Sequence, residues 1–229
     1  MIICMSDLLC FTNRSLCRGD FLERIGEIAA LDPAGIVLRE KDLPEREYRS
    51  LALAVMQICR ENKTACILHN FADTALALGA ENIHLPLPVL RSLDSGQRAA
   101  FRRIGASCHS EEDALEAQEL GCAYITAGHI FETDCKRGLP GRGLDFLSRI
   151  VRSVQIPVYA IGGIDSGNIH TVRETGAAGA CVMSGVMRCK DVRTYLQQFH
   201  PLENMREGGT LHGKSSIGIV KNAPQRAEV

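Results

Sequence analysis

Short apolar runs alternate along the chain with longer stretches in which apolar residues recur every three or four positions. The short runs read as strands at Ile2–Met5, Gly35–Arg39, Ala65–His69, Asn82–Leu85, Arg103–Cys108, Tyr124–Gly128, Pro157–Ile161 and Gly179–Met183. Between them, Leu43–Asn62 carries Leu51, Val55, Ile58 and Cys59 at helical spacing, and Glu111–Leu120 carries Ala114, Leu115, Ala117 and Leu120 behind Ser110 as N-cap. Gly143–Val154 and Asn168–Thr175 repeat the pattern, the second led by Asp165 and Ser166. Gly79, Gly121 and Gly176 follow helices and open the turn into the next strand, as left-handed C-caps do.

The strands are apolar throughout rather than alternating, which is expected when helices cover the outer face of a parallel sheet. Eight strand–helix units predict an α/β fold, a single (β/α)8 TIM barrel over residues 1–199. Residues 200–229 break the pattern with Gly, Ser, Lys and Arg, and read as a flexible tail with no assigned function.

Composition narrows the picture. The chain has 229 residues, 45% of them hydrophobic, enough for one full core. Lys+Arg 26 against Asp+Glu 27 leave a net charge of −1, so no field favours nucleic acid or an anionic membrane. Neither a bilayer-spanning apolar run nor a basic leader is present, and the expected location is cytoplasmic. The ten cysteines include no Cys-x2-Cys pair, and those in apolar segments, such as Cys59, Cys108 and Cys181, read as small buried hydrophobes.

In a barrel, chemistry gathers at the C-terminal strand ends. Those ends hold Arg39-Glu40-Lys41, His69-Asn70, Ser107-Cys108-His109, Gly128-His129, Gly162-Gly163 and Ser184-Gly185. Gly162 and Gly163, with Met183, Ser184 and Gly185, predict a phosphate-binding site, because glycines let backbone amides approach an anion and this fold binds phosphate after strands 7 and 8. His129 stands between an apolar strand and a loop containing Lys136, Arg137 and Arg142, where an imidazole can move protons on a small anionic substrate. The scattered histidines have few carboxylates beside them, so no metal site is expected.

Four segments carry a family resemblance: Ile36–Asp42, Ala75–Leu85, Ala160–Ile164 and Val182–Gly185. In this order they resemble thiamine phosphate synthase and its relatives over residues 1–199. The resemblance implies substrate contacts from Arg39, Lys41, His69, Asn70, Ser107, Thr133 and Lys136. Synthases of that family close strand 3 with Asn-Asp-Arg and follow strand 4 with Gly-Gln-x-Asp, and the two aspartates hold magnesium. Here the positions read His69-Asn70-Phe71 and Pro86-Leu87-Pro88-Val89, without either carboxylate. The run Gly128-His129-Ile130-Phe131-Glu132-Thr133-Asp134-Cys135-Lys136 resembles the TenI-type thiazole tautomerases, in which the histidine is the acid/base. The resemblance therefore implies an isomerase that aromatises a phosphorylated thiazole without a cofactor, with His129 catalytic. Two other readings stay open: a synthase joining pyrimidine to thiazole, and a non-catalytic regulatory barrel that binds a phosphate ligand. A homo-oligomer also stays open.

Overall fold

In the computed structural model, eight parallel strands close into a barrel in sequence order, with β1 also pairing β8. The structure describes residues 5–136 and 138–199. The strands are β1 (Met5–Phe11), β2 (Pro33–Leu38), β3 (Cys66–His69), β4 (Asn82–Pro86), β5 (Arg103–Cys108), β6 (Tyr124–Gly128), β7 (Val158–Ile161) and β8 (Gly179–Val182). Helices cover them: α1 (Phe21–Ala29), α2 (Glu45–Glu61), α3 (Ala72–Ala77), α4 (Leu87–Ser92) and α5 (Ser95–Ala99). After β5 come α6 (Glu111–Glu119), α7 (Gly143–Ser153), α8 (Ile169–Glu174), α9 (Ser184–Arg188) and α10 (Val192–Gln197).

The strand side chains divide between two clusters. Leu9, Phe11, Val37, Ile67, Tyr124 and Cys181 fill the barrel interior, while Leu8, Cys10, Ile36 and Leu38 pack outward under the helices. Ser110 caps α6 as expected, its hydroxyl accepting from the Asp113 amide at 3.1 Å. Gly79, Gly121 and Gly176 all have positive φ after helices.

One strand lies elsewhere than expected. Only Met5 of Ile2–Met5 belongs to β1, which continues to Phe11; Ile2, Ile3 and Cys4 lie outside the described residues. Asp7 interrupts the apolar pattern, but an ion pair with Arg173 at 2.6 Å satisfies it. Helices α1, α4, α5, α9 and α10 carry no bounds in the sequence reading; four of them are one or two turns long, too short to establish a period. Residues 200–229, expected as a flexible tail, lie outside the described residues, as does Arg137 of the loop. No described helix is long and apolar enough to cross a membrane.

Cys10, Cys59, Cys108, Cys122 and Cys181 are buried free thiols. Burial pushes the thiols of Cys10, Cys108 and Cys122 up to about 12, so they remain protonated and inert. Cys4 and the side chain of Cys135 lie outside the described residues.

Candidate functional site

The strand ends enclose a cavity of about 290 Å³. Its wall is made by Arg39 and Lys41 after β2, His69 at the end of β3, Ser107 on β5, and His129, Thr133 and Lys136 after β6. Gly162 and Gly163 follow β7, and Met183, Ser184 and Gly185 follow β8. One expected contact is not brought in: Asn70 faces side cavities with Phe71 rather than the mouth. Its backbone is left-handed, with φ of 71°, and this turns the chain away immediately after His69. Arg142, read from sequence as part of a cationic lid, does not line the mouth; its guanidinium lies over the Phe146 ring, 5.0 Å from the centroid.

Cations gather at the mouth. Lys41 has its ammonium pKa lowered by partial burial first, and then by Arg39 and Lys136, so the three positive groups share one space. His69 joins them without a charge. Burial, then His84, Arg39 and Lys41, push its pKa down to about 2.

Beneath the mouth a buried polar chain crosses the barrel. His84 is fully buried, with its pKa pushed down to about 3 by burial, and it stacks on His69 with ring centroids 5.9 Å apart. Its Nδ1 lies 3.1 Å from the Tyr124 hydroxyl and its Nε2 lies 2.9 Å from Ser107 Oγ. The buried Tyr124 phenol, whose pKa burial raises, has a single hydrogen-bond partner among the described residues, so its O–H must donate to Nδ1. That assigns the hydrogen to Nε2, which donates to Ser107 Oγ. The Ser107 hydrogen is then directed elsewhere, and Ser107 borders the cavity. Gly105 leaves room for this, since a Cβ there would collide with the Tyr124 ring.

The glycines that follow β7 pack against the β6 loop. A Cβ on Gly163 (φ +68°) would meet Glu132 O at 2.5 Å and Phe131 Cβ at 2.8 Å, and one on Gly162 would strike His129. The Ile130 amide bonds Ile161 O and the Phe131 amide bonds Gly162 O, each at 3.0 Å. The glycine pair thus locks the β6 loop against β7, a role the sequence reading assigned wholly to anion contact. His129 Nε2 lies 3.3 Å from Leu139 O, so its ring also ties to the far end of that loop.

Sequence reasoning placed His109 at a strand end without giving it a role, and missed Arg24 and Tyr195. His109 borders the mouth and its Nδ1 bonds Gly128 O at 3.0 Å. Arg24 on α1, buried, bonds Cys189 O at 2.8 Å and Val186 O at 3.3 Å, fastening α9 and with it Ser184 and Gly185. Nothing in the pattern marks an arginine on a helix as buried. Tyr195 of α10 borders the mouth as well.

The magnesium held by the synthases this chain resembles does not fit these residues. Asn70 and Val89 supply no carboxylate. Glu40 is buried and its carboxylate is occupied, accepting from Thr12 Oγ at 2.6 Å and from the Arg14 amide at 2.9 Å. Among the described residues no three His, Cys, Asp or Glu side chains come together to hold a metal ion.

A closed eight-stranded parallel barrel with a polar mouth at its C-terminal strand ends defines the class, an α/β barrel of the TIM type. Residues 8–186 match the family described as thiamine monophosphate synthase, and the chain belongs to that family. It is 35% identical over 188 residues to the thiamine-phosphate synthase of Syntrophomonas wolfei, covering 79% of this chain and 88% of the relative. To the thiamine-phosphate synthase of Pyrococcus furiosus it is 34% identical over 186 residues, covering 79% and 87%. The solved thiamine phosphate pyrophosphorylase from Pyrococcus furiosus superposes with a TM-score of 0.72 at 32% identity, covering 85% of this chain and 94% of that one. A 3-hexulose-6-phosphate synthase, at 18% identity and TM-score 0.63 over 84% and 97% of the two chains, shares the fold.

These relatives correct the expected activity. The sequence reading favoured an isomerase, a thiazole tautomerase of the TenI type, on the strength of His129 and the two absent carboxylates. The relatives are named synthases, which are transferases. A single loop motif and two substitutions were given more weight than similarity spread over most of the chain.

Proposed function

We propose that this chain is a transferase of the thiamine-phosphate-synthase type, joining a pyrimidine diphosphate to a thiazole carrying an alkyl phosphate. The observation that carries the reading is that three cations and two glycine-containing strand ends border the same cavity. Arg39, Lys41 and Lys136 line it together with Gly163, Ser184 and Gly185. Two phosphorylated substrates need both sets of groups, and the relatives' names supply the chemical class.

In this reading the thiazole phosphate sits against the glycine-lined side. The thiazole ring nitrogen attacks the methylene carbon of the pyrimidine; the C–N bond forms, the C–O bond breaks, and pyrophosphate leaves with the bonding electron pair. The charge on the departing group is offset by Arg39, Lys41 and Lys136, since the carboxylates for a metal are absent. The Ser107 hydroxyl, oriented by His84, donates to an acceptor on the substrate. His129 lines the wall and holds the loop around the substrate. The likeness of residues 128–136 to the TenI-type branch is read as a difference in how this loop grips the substrate, with the family's reaction retained.

The test is to incubate purified protein with both substrates and follow thiamine phosphate by mass spectrometry, with and without EDTA. Product at enzymatic rates in both conditions is expected. No product in either would overturn the reading, and product abolished by EDTA would overturn the assignment of charge compensation to the three cations.

A further inference from the structure

We propose that the Tyr195 hydroxyl completes the anion cup formed by Gly163, Ser184 and Gly185, donating a hydrogen bond to the phosphate of the ligand. The inference deepens the proposed function and rests on its placement of a phosphate at this side of the mouth.

Tyr195 comes from α10, outside the barrel strands, and no pattern in the sequence marks it. Its ring is fixed edge-on against Phe199, with centroids 5.4 Å apart, and it packs on the main core. The ring is therefore placed before any ligand arrives. The hydroxyl end extends over Gly185: a Cβ added there would collide with Oη and the adjoining ring carbons. Gly185 is needed at this position for that reason, beyond any backbone freedom it has. A second, wider groove of about 880 Å³ opens along the β6 loop and meets the mouth at Tyr195, Gly163, Ser184 and Gly185. The hydroxyl thus stands at the junction of both cavities.

Among the described residues this hydroxyl has no hydrogen-bond partner; the ring is half-buried while the oxygen stays open to the cavity, where it can donate to a ligand. Burial, and then Cys10, Cys189 and Asp165, push its pKa up, so it remains a donor through neutral and alkaline pH. The Asp165 carboxylate makes no hydrogen bond to that hydroxyl; its Oδ1 accepts from the Gly167 amide at 2.8 Å and the Asn168 amide at 3.2 Å. A fixed, protonated, unsatisfied donor beside a glycine-lined cup matches an anionic acceptor better than a neutral one.

The experiment compares wild type with Tyr195→Phe, which keeps the ring and its packing. Binding of the thiazole ethyl phosphate, of its dephosphorylated alcohol and of inorganic phosphate is measured by calorimetry and by ³¹P NMR titration. Weakening of both phosphate-bearing ligands by about 10- to 100-fold, with the alcohol unchanged, is expected for a lost hydrogen bond to a charged group. Phosphate binding equal to wild type would overturn the proposal. Equal weakening of the alcohol and its phosphate would do so too, because it would show a packing role. If wild type ignores the thiazole phosphate while Tyr195→Phe still weakens inorganic phosphate, the cup assignment stands and the substrate reading fails.

Discussion

Nε2 of His84 lies 2.9 Å from Oγ of Ser107, joining an imidazole sealed inside the barrel to a hydroxyl at the mouth. The geometry makes Tyr124, on the far side of His84, a determinant of which way the Ser107 hydrogen points. Tyr124→Phe should release His84 to accept from Ser107 and withdraw that hydrogen from the substrate. The expected cost is about 1 kcal/mol of stability and a roughly 5- to 20-fold rise in KM, the scale of one hydrogen bond. Ser107→Ala should raise KM similarly, and the double variant no further, because the two changes remove one interaction. Additive losses in KM would show that Tyr124 and Ser107 act separately.

Stability should fall in acid. His69 and His84 are held neutral, with pKa values of about 2 and about 3, against about 6.5 in an unfolded chain. Between those limits the unfolded chain takes up protons that the folded barrel refuses. Stability is therefore full above pH about 6.5 and falls as the pH drops toward 3, by up to roughly 1.4 kcal/mol per unit for each imidazole. Thermal melts from pH 7.5 to 4.5 check this, and His69→Gln should reduce the slope by about one proton. A slope unchanged by that variant would remove His69 from the account.

The barrel was legible because its signal is repeated: continuous apolar strands and post-helical glycines recur, so one misplaced strand at Ile2–Met5 left the architecture intact. The mouth was legible for a related reason, since strand ends follow from strand positions; Asn70 lies off the mouth because its left-handed backbone, not its position, decides where it faces. Tyr195, Arg24 and the Tyr124–His84–Ser107 chain were not legible. Each depends on which long-range neighbour a side chain meets, and no local period encodes that. The activity was misread for a different cause, because His129 was judged by its motif when its ring also serves to tie the loop at Leu139.

The three cations at the mouth should be coupled. Partial burial, Arg39 and Lys136 all lower the Lys41 pKa, so Lys41 should acylate faster than the exposed lysines at pH 8. Lys136→Met should slow that labelling by returning the amine toward its ordinary pKa. The same variant should raise KM for the diphosphate substrate by roughly 10-fold, as loss of a charge-assisted contact does, and leave binding of the thiazole alcohol unchanged. Labelling of Lys41 indifferent to residue 136 would separate these charges.

Gly163 tests whether the phosphate side and the β6 loop are one unit. Its φ of +68° strains any other residue, and its missing Cβ space is taken by Glu132 O and Phe131 Cβ. A role in anion contact alone would let a bulky residue here raise KM with the fold undisturbed, but the contacts require more. Gly163→Ala should cost about 1–3 kcal/mol from backbone strain, and the Phe131–Glu132 segment must move away, carrying Thr133 and Lys136 with it. Affinity should then fall for the diphosphate substrate as well as for the thiazole phosphate, because Lys136 moves with the loop. Melting temperature and separate titrations of the two substrates check this. A stable variant that loses only thiazole phosphate binding would show that the loop and the cup are independent.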